Sequence, residues 1–182
     1  QIVTTSCRAK EPYYTVRPLM PSLKLFHSNV RSLKRQKQSI KQIIQDTAPD
    51  AFSFNETWLQ PNDNISIHKD YEIFRKDRVG HGQRPSGGVA LLAMKSLRAS
   101  PITLPPSRLS TEAVGCCINN SDGSKVALLS LYKPPDGQPV DTSFIDFCVN
   151  TLSKVLIMGD LNAKHPSWDS QAAANATGNS FF

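Results

Sequence analysis

Val155-Leu156-Ile157-Met158 is an unbroken apolar run of strand length that stops at Gly159-Asp160-Leu161-Asn162. So short and fully apolar a run reads as a buried strand, which commits the chain to building a sheet. Strand side chains alternate, so Asp160 and Asn162 leave on the same side, and a carboxylate and an amide there can face one phosphate or one water. Strand ends are where α/β folds place chemistry. The plainer alternative is that Asp160 caps a turn and Asn162 supports it.

The rest of the chain supplies further strands with helical pattern between them. Gln1 to Pro21, with Pro12, Pro18 and Pro21 and no periodicity, reads as an irregular leader, so the domain runs from Ser22 to Phe182. Leu23 to Asn29 reads as a strand, and Leu33, Ile40, Ile43 and Ile44 give helical spacing up to about Thr47, where Pro49 closes the helix. Asp50–Asn55, Tyr71–Lys76 and Gly87–Met94 read as strands, the last one buried. Glu112–Ile118 and Lys125–Tyr132 flank an Asp122-Gly123 turn signal and should pair antiparallel. Asp141 can cap a helix with Phe144, Phe147, Cys148 and Leu152 on one face. The order is mixed α/β in one domain without repeats, and Val79 to Ser86 reads as a mobile loop of the kind that touches ligands.

Composition narrows the partners. With 182 residues, 39% of them hydrophobic, there is enough apolar material for a core. Twenty-one basic against fifteen acidic residues give a net charge of +6 and a pI near 9.3, which favours a polyanion. The four cysteines form no CxxC pair, so neither a zinc site nor a disulfide framework is expected, and a reducing intracellular setting is the simplest reading. The sequon-like triplets at Asn64, Asn119 and Asn175 are read as chance. Apolar runs never approach the roughly 20 residues of a membrane span, so no membrane association is expected. The first residue is Gln1, as expected of a piece of something longer.

Three more apolar runs stop at polar residues. Leu25-Phe26-His27-Ser28 ends in Asn29, Ala51-Phe52-Ser53-Phe54 leads to Asn55-Glu56, and Leu128-Leu129-Ser130-Leu131 ends in Tyr132. Each has a bland reading: Asn29 as a helix cap, Glu56 as a solvated loop acid, Tyr132 as a rim aromatic before Pro134-Pro135. Their agreement with Asp160 and Asn162 is what points to one site.

Taken in order, Asn29-Val30-Arg31-Ser32-Leu33, Asn55-Glu56-Thr57-Trp58-Leu59, Arg75-Lys76-Asp77-Arg78, Ser86-Gly87-Gly88-Val89-Ala90, Ser130-Leu131-Tyr132-Lys133-Pro134-Pro135 and Gly159-Asp160-Leu161-Asn162-Ala163-Lys164-His165-Pro166-Ser167-Trp168 resemble the motifs of the endonuclease/exonuclease/phosphatase superfamily. The wording is most similar to apurinic-type endonuclease domains of LINE-like, jockey- and CR1-like non-LTR retrotransposons. The resemblance covers about Leu23 to Phe182. It implies a DNase I-like four-layer α/β sandwich, two mixed sheets with helices outside, lacking the final strands. It makes Glu56 the carboxylate ligand of Mg²⁺ (Mn²⁺ as a substitute), with Asn29 beside it. Asp160 then orients or deprotonates the attacking water, Asn162 fixes Asp160 and the scissile phosphate, and Tyr132 contacts that phosphate. Mg²⁺ keeps waters, so one or two side chains suffice to hold it.

Arg31, Lys34, Arg35, Lys37 and Lys41 form one basic run, and Arg75, Lys76, Arg78, His81 and Arg84 another. Arg31, Arg75, Arg78, Arg84 and Lys164 are the candidate DNA contacts; a solvated helix face is the equal alternative for the first run. Asp77 is read as a salt-bridge or turn residue. His27 and His165 lack the position of the family's catalytic histidine and are read as structural, as are Trp58 and Trp168. The Asp and the Ser-Asp-His-like stretch that follow in complete members have no counterpart up to Phe182. The catalytic histidine is therefore expected to be absent, with nicking lowered on the order of 10²–10³ and a sheet edge exposed.

The function expected is Mg²⁺-dependent nicking of DNA to leave a 3′-hydroxyl for target-primed reverse transcription. The expected partners are DNA and the reverse transcriptase domain of the same polyprotein, and the expected place of action is the nucleus. The alternatives are a phosphatase of the same superfamily, or an impaired copy that only binds nucleic acid or a partner.

Overall fold

The computed structural model describes residues 23–78, 85–107, 109–119, 123–152 and 154–181, without the side chain of Phe144. The expected leader, His81, Arg84 and most of the loop expected at 79–86 lie outside the described residues.

Among the described residues, eight strands and three α-helices follow one another: β1 (Leu25–Asn29), α1 (Leu33–Thr47), β2 (Ala51–Asn55), β3 (Tyr71–Lys76), β4 (Val89–Met94), β5 (Ser100–Ile102), β6 (Glu112–Asn119), β7 (Lys125–Tyr132), α2 (Thr142–Thr151), β8 (Val155–Asp160) and α3 (Ala176–Asn179). One sheet has the order β1-β2-β4-β3 and the other β5-β6-β7-β8. Both are mixed. β1 and β2 are parallel, as are β7 and β8, and every other neighbouring pair is antiparallel. The sheets lie face to face with β1 over β8 and β2 over β7.

Strand alternation separates three hydrophobic layers. Phe52 and Phe54 of β2 and Ala90 and Leu92 of β4 pack on Leu33, Ile40 and Ile44 of α1. Their neighbours Ala51 and Leu91 face the other way, onto Cys116, Ile118 and Leu128 between the sheets. Leu129 and Leu131 of β7 pack on Cys148 of α2, with Ile145 and Leu152 beside it. Helix, sheet, sheet and helix thus form the four layers expected. Among the described residues, no helix is long and apolar enough to cross a membrane.

Three details depart from the sequence reading. β8, read as buried from its unbroken apolar run, is the edge strand of its sheet, and Leu156 and Ile157 are each 37% exposed because β8 pairs on one side only among the described residues. β5 and the 3-10 turn at Lys95–Leu97 had no sequence signal: β5 is three residues long and contains Pro101, which an edge strand tolerates because it pairs on one side. In α2, Phe147 turns partly to solvent while Ile145, Cys148 and Leu152 make the packed face.

Candidate active site

The parallel pairs bring four strand ends to one edge. Asn29 stands opposite Asn55 in register, and Tyr132 opposite Asp160. With β1 stacked over β8 and β2 over β7, residues distant in sequence meet across the sandwich. Asn29 Nδ2 donates to Glu56 Oε1 at 2.7 Å and lies 3.4 Å from Asp160 Oδ2. Tyr132 donates its hydroxyl to the same Glu56 oxygen at 3.2 Å. Asp160 Oδ1 accepts from the backbone N–H of Asn162 at 3.0 Å, and Asn162 Nδ2 donates to the carbonyl of Lys133 at 2.9 Å. All five residues expected at the site are therefore in one hydrogen-bonded group.

The bland readings of Asn29 and Glu56 fit less well, whereas Asp160 does cap the turn to Asn162 as its plainer reading has it. Ser32, not Asn29, occupies the N-cap of α1, and Glu56 is held by two donors rather than standing in solvent. The turns that aim these side chains are strained: Arg31, Glu56, Trp58 and Asn162 have φ of 42°, 53°, 53° and 49°. Left-handed backbone is unfavourable for residues with a Cβ, and such residues cluster at functional sites. Backbone bonds fix the turns to one another, from Ser32 N to Glu56 O and from Trp58 N to Gly87 O at 2.9 Å each, and from Lys133 N to Asp160 O at 3.0 Å.

Polar groups around the site, with Ser53, Asn55, Ser130 and Lys133 buried among them, hold it in place. Ser53 and Ser130 join the two sheets through a 2.8 Å hydroxyl pair, and Asn55 Oδ1 accepts from the backbone N–H of Asp160 at 2.8 Å. His27 Nδ1 lies 3.1 Å from Ser53 Oγ. Desolvation lowers the His27 pKa, with the nearby Asp160 charge working against that shift. Lys133 is fully buried and pairs with Asp136, which also accepts from Ser110. Desolvation pushes Asp136 upward, yet the donors from Lys133 and Ser110 prevail and hold it at about 2. Asn175 caps α3 by accepting from Gly178 N at 2.7 Å and donates to the carbonyl of Asn162 at 2.7 Å, so the chain past the site is tied back to it. Gly178 packs so closely that a Cβ there would lie 1.9 Å from the carbonyl oxygen of Lys164.

Tyr132 is buried beside two carboxylates. Desolvation first, then the charge of Glu56 and the hydrogen bond to it, push its phenol up to about 12. Arg78 lies 5.8 Å over the Tyr132 ring and pairs with Glu112, whose second oxygen accepts from Gly88 N at 2.7 Å. Glu112, Asn55, Lys133 and Asp136 were not singled out from sequence. For Asn55 the available signal was a polar residue within an otherwise apolar strand run, since a buried polar group is the informative exception in a core.

The candidate cationic contacts are spread around this edge. Arg31 and Lys164 are exposed, while Arg75 pairs with Asp77 at 3.4 Å, as the salt-bridge reading of Asp77 has it, and reaches the carbonyl of Pro61 at 3.2 Å. Lys34 pairs with Asp63 at 2.6 Å. Trp168, read as structural, is 55% exposed, with Phe181 and His165 against its ring.

The donor set suits a hard cation. Asn29 Oδ1 is buried without a hydrogen-bond partner while the nitrogen of the same amide is committed to Glu56, which leaves one carbonyl oxygen unsatisfied next to the carboxylates. Oxygen ligands of this kind fit Mg²⁺. Among the described residues, no three His, Cys, Asp or Glu side chains gather as a metal cage.

Fold and edge cluster together define a DNase I-like α/β sandwich with a carboxylate- and amide-rich site at its strand ends. The chain belongs to the Endonuclease/Exonuclease/phosphatase family, whose model matches residues 26–181. Comparison with curated proteins finds none that matches. Among solved structures, the human nocturnin catalytic domain with bound sulfate is similar over 80% of this chain and 65% of its own length, at 12% identity and TM-score 0.59. The 3′ phosphatase NExo from Neisseria, bound to product DNA hairpin, is similar over 78% and 58%, at 18% identity and TM-score 0.54. A structure of NExo from Neisseria meningitidis, described as a 3′-5′ exonuclease, is similar over 78% and 59%, at 18% identity and TM-score 0.54. The chain thus spans 58–65% of the length of these structures.

Proposed function

We propose that this chain is the hydrolytic domain of a Mg²⁺-dependent DNA endonuclease from a LINE-like retrotransposon, nicking target DNA for reverse transcription by another domain of the same polyprotein. The observation that carries the hydrolase reading is the single hydrogen-bonded group made by Asn29, Glu56, Tyr132 and Asp160 at one sheet edge. The choice of DNA rests on the motif wording and the net charge of +6. The retrotransposon setting and a nuclear place of action rest on the motif wording alone.

Glu56 and Asn29 Oδ1 would hold the Mg²⁺, or Mn²⁺ in its place. When bound, the ion neutralises charge that develops on the phosphoryl oxygens. Asp160 takes a proton from the attacking water, whose oxygen bonds to phosphorus as the bond to O3′ breaks. Asn162 keeps Asp160 oriented through its backbone N–H. With its phenol at about 12, Tyr132 stays protonated at neutral pH, and its hydroxyl would turn from Glu56 to donate to the phosphate beside the leaving O3′. The products are a 3′-hydroxyl and a 5′-phosphate.

Conversion of supercoiled plasmid to nicked circles in Mg²⁺ tests the reading. The chain should nick, and Glu56→Ala and Asp160→Ala should each lower the rate on the order of 10²-fold or more. Nicking that both variants retain would sink it, and release of phosphate from a 3′-phosphorylated oligonucleotide without nicking would favour a phosphatase.

A further inference from the structure

The end of β3 and residues 102–107 and 109–112 line two adjoining depressions, of about 400 and about 550 Å³, that share Lys76, Ser107 and Thr111. Ile102, Leu104, Pro105 and Pro106 make the first one apolar on one side. The second reaches Glu112, Pro134 and Asp136, so the groove arrives at the active edge just past Tyr132. Arg75, Lys76 and Arg78 stand along its β3 side. Volumes of this size suit a small planar group.

Two polar side chains lining the groove are buried with an atom unsatisfied. Thr111 is 4% exposed, lines both depressions, and its Oγ1 has no hydrogen-bond partner. The Asp77 side chain is 8% exposed and lines the second depression. Its Oδ2 faces Arg75 Nε, while Oδ1 has no partner. Unsatisfied buried oxygens are costly, and each of these two belongs to a residue lining the groove, where a ligand can supply the missing bond. Desolvation raises the Asp77 pKa, as expected for a carboxylate short of polar neighbours, and the Arg75 charge opposes that rise.

We infer that this groove is a nucleobase subsite, in which one base of the nucleic-acid substrate lies against Ile102, Leu104, Pro105 and Pro106 with its polar edge at Asp77 Oδ1 and Thr111 Oγ1. The subsite deepens the proposed phosphodiester hydrolase activity and rests on it. Lys76, and Arg78 paired with Glu112, stand on the side where the flanking phosphates would lie. An ionised carboxylate oxygen only accepts, so the base it prefers carries an exocyclic amino group; the threonine hydroxyl can donate to the adjacent ring nitrogen. Cytosine offers that pair, whereas uracil turns an oxygen toward the carboxylate in place of the amino group.

Fluorescence anisotropy with oligo-dC and oligo-dU, which differ at that edge and hardly in size, tests the inference. The chain should bind oligo-dC at least about fivefold more tightly. Asp77→Ala and the near-isosteric Thr111→Val should bring the ratio close to one, and if Asp77→Ala does not fold then Thr111→Val decides. Equal binding of both oligomers by the unaltered chain, or an unchanged ratio in the variants, would overturn the subsite. Plasmid nicking measured in parallel keeps the two readings apart. A preference for dC without nicking would leave the groove and remove the hydrolase; nicking without the preference would do the reverse.

Discussion

At the scale of single residues, Glu56 is the centre of the site because it accepts from both Asn29 and Tyr132. Its charge is one reason the Tyr132 phenol is pushed from 10.0 to about 12, after desolvation. Glu56→Gln should therefore bring the Tyr132 titration down toward the ordinary tyrosine value, read as tyrosinate absorbance in difference against Tyr132→Phe. The raised phenol also has a sign for stability. Its contribution is fully present below about pH 10 and is lost as pH rises through about 12, since the unfolded chain ionises first. Among the site residues, those legible in the sequence are the ones that interrupt an apolar run at its end, as Asn29, Glu56, Tyr132 and Asp160 do. Lys133 and Glu112 were not legible, because only tertiary packing tells a buried lysine or a carboxylate that orients Arg78 from a surface charge.

At the scale of elements, the apolar runs located the strands because the alternation of β2 and β7 splits cleanly between the sheet interface and a covering helix. β5 escaped notice because a three-residue edge strand carries too few residues for a period. What fixes β8 against β7 is partly the absence of a side chain. A Cβ on Gly159 would lie 1.9 Å from the carbonyl oxygen of Leu131, its register partner. Gly159→Ala must push β8 off β7 and should cost at least about 2 kcal/mol in urea unfolding. A loss below about 0.5 kcal/mol would mean that the two strands are not held this closely. The same shift moves Asp160 relative to Tyr132, so activity should fall along with stability.

At the scale of the whole molecule, two mixed sheets bring residues from β1, the β2 turn, β7 and β8 to one edge, where no segment could place them alone. The groove beside β3 opens onto that same edge, which puts a candidate base-reading surface next to a candidate phosphate-cleaving one. The proposed function turns on Glu56 and the unsatisfied Asn29 oxygen as the holders of a hard divalent cation. Mn²⁺ titration followed by electron paramagnetic resonance measures this without requiring turnover. The account predicts one site per chain, displaced by Mg²⁺ and weakened at least about tenfold by Glu56→Gln, as expected when a site holding its ion by one or two carboxylates loses one. Absence of that site, or equal Mn²⁺ affinity in Glu56→Gln, would contradict it.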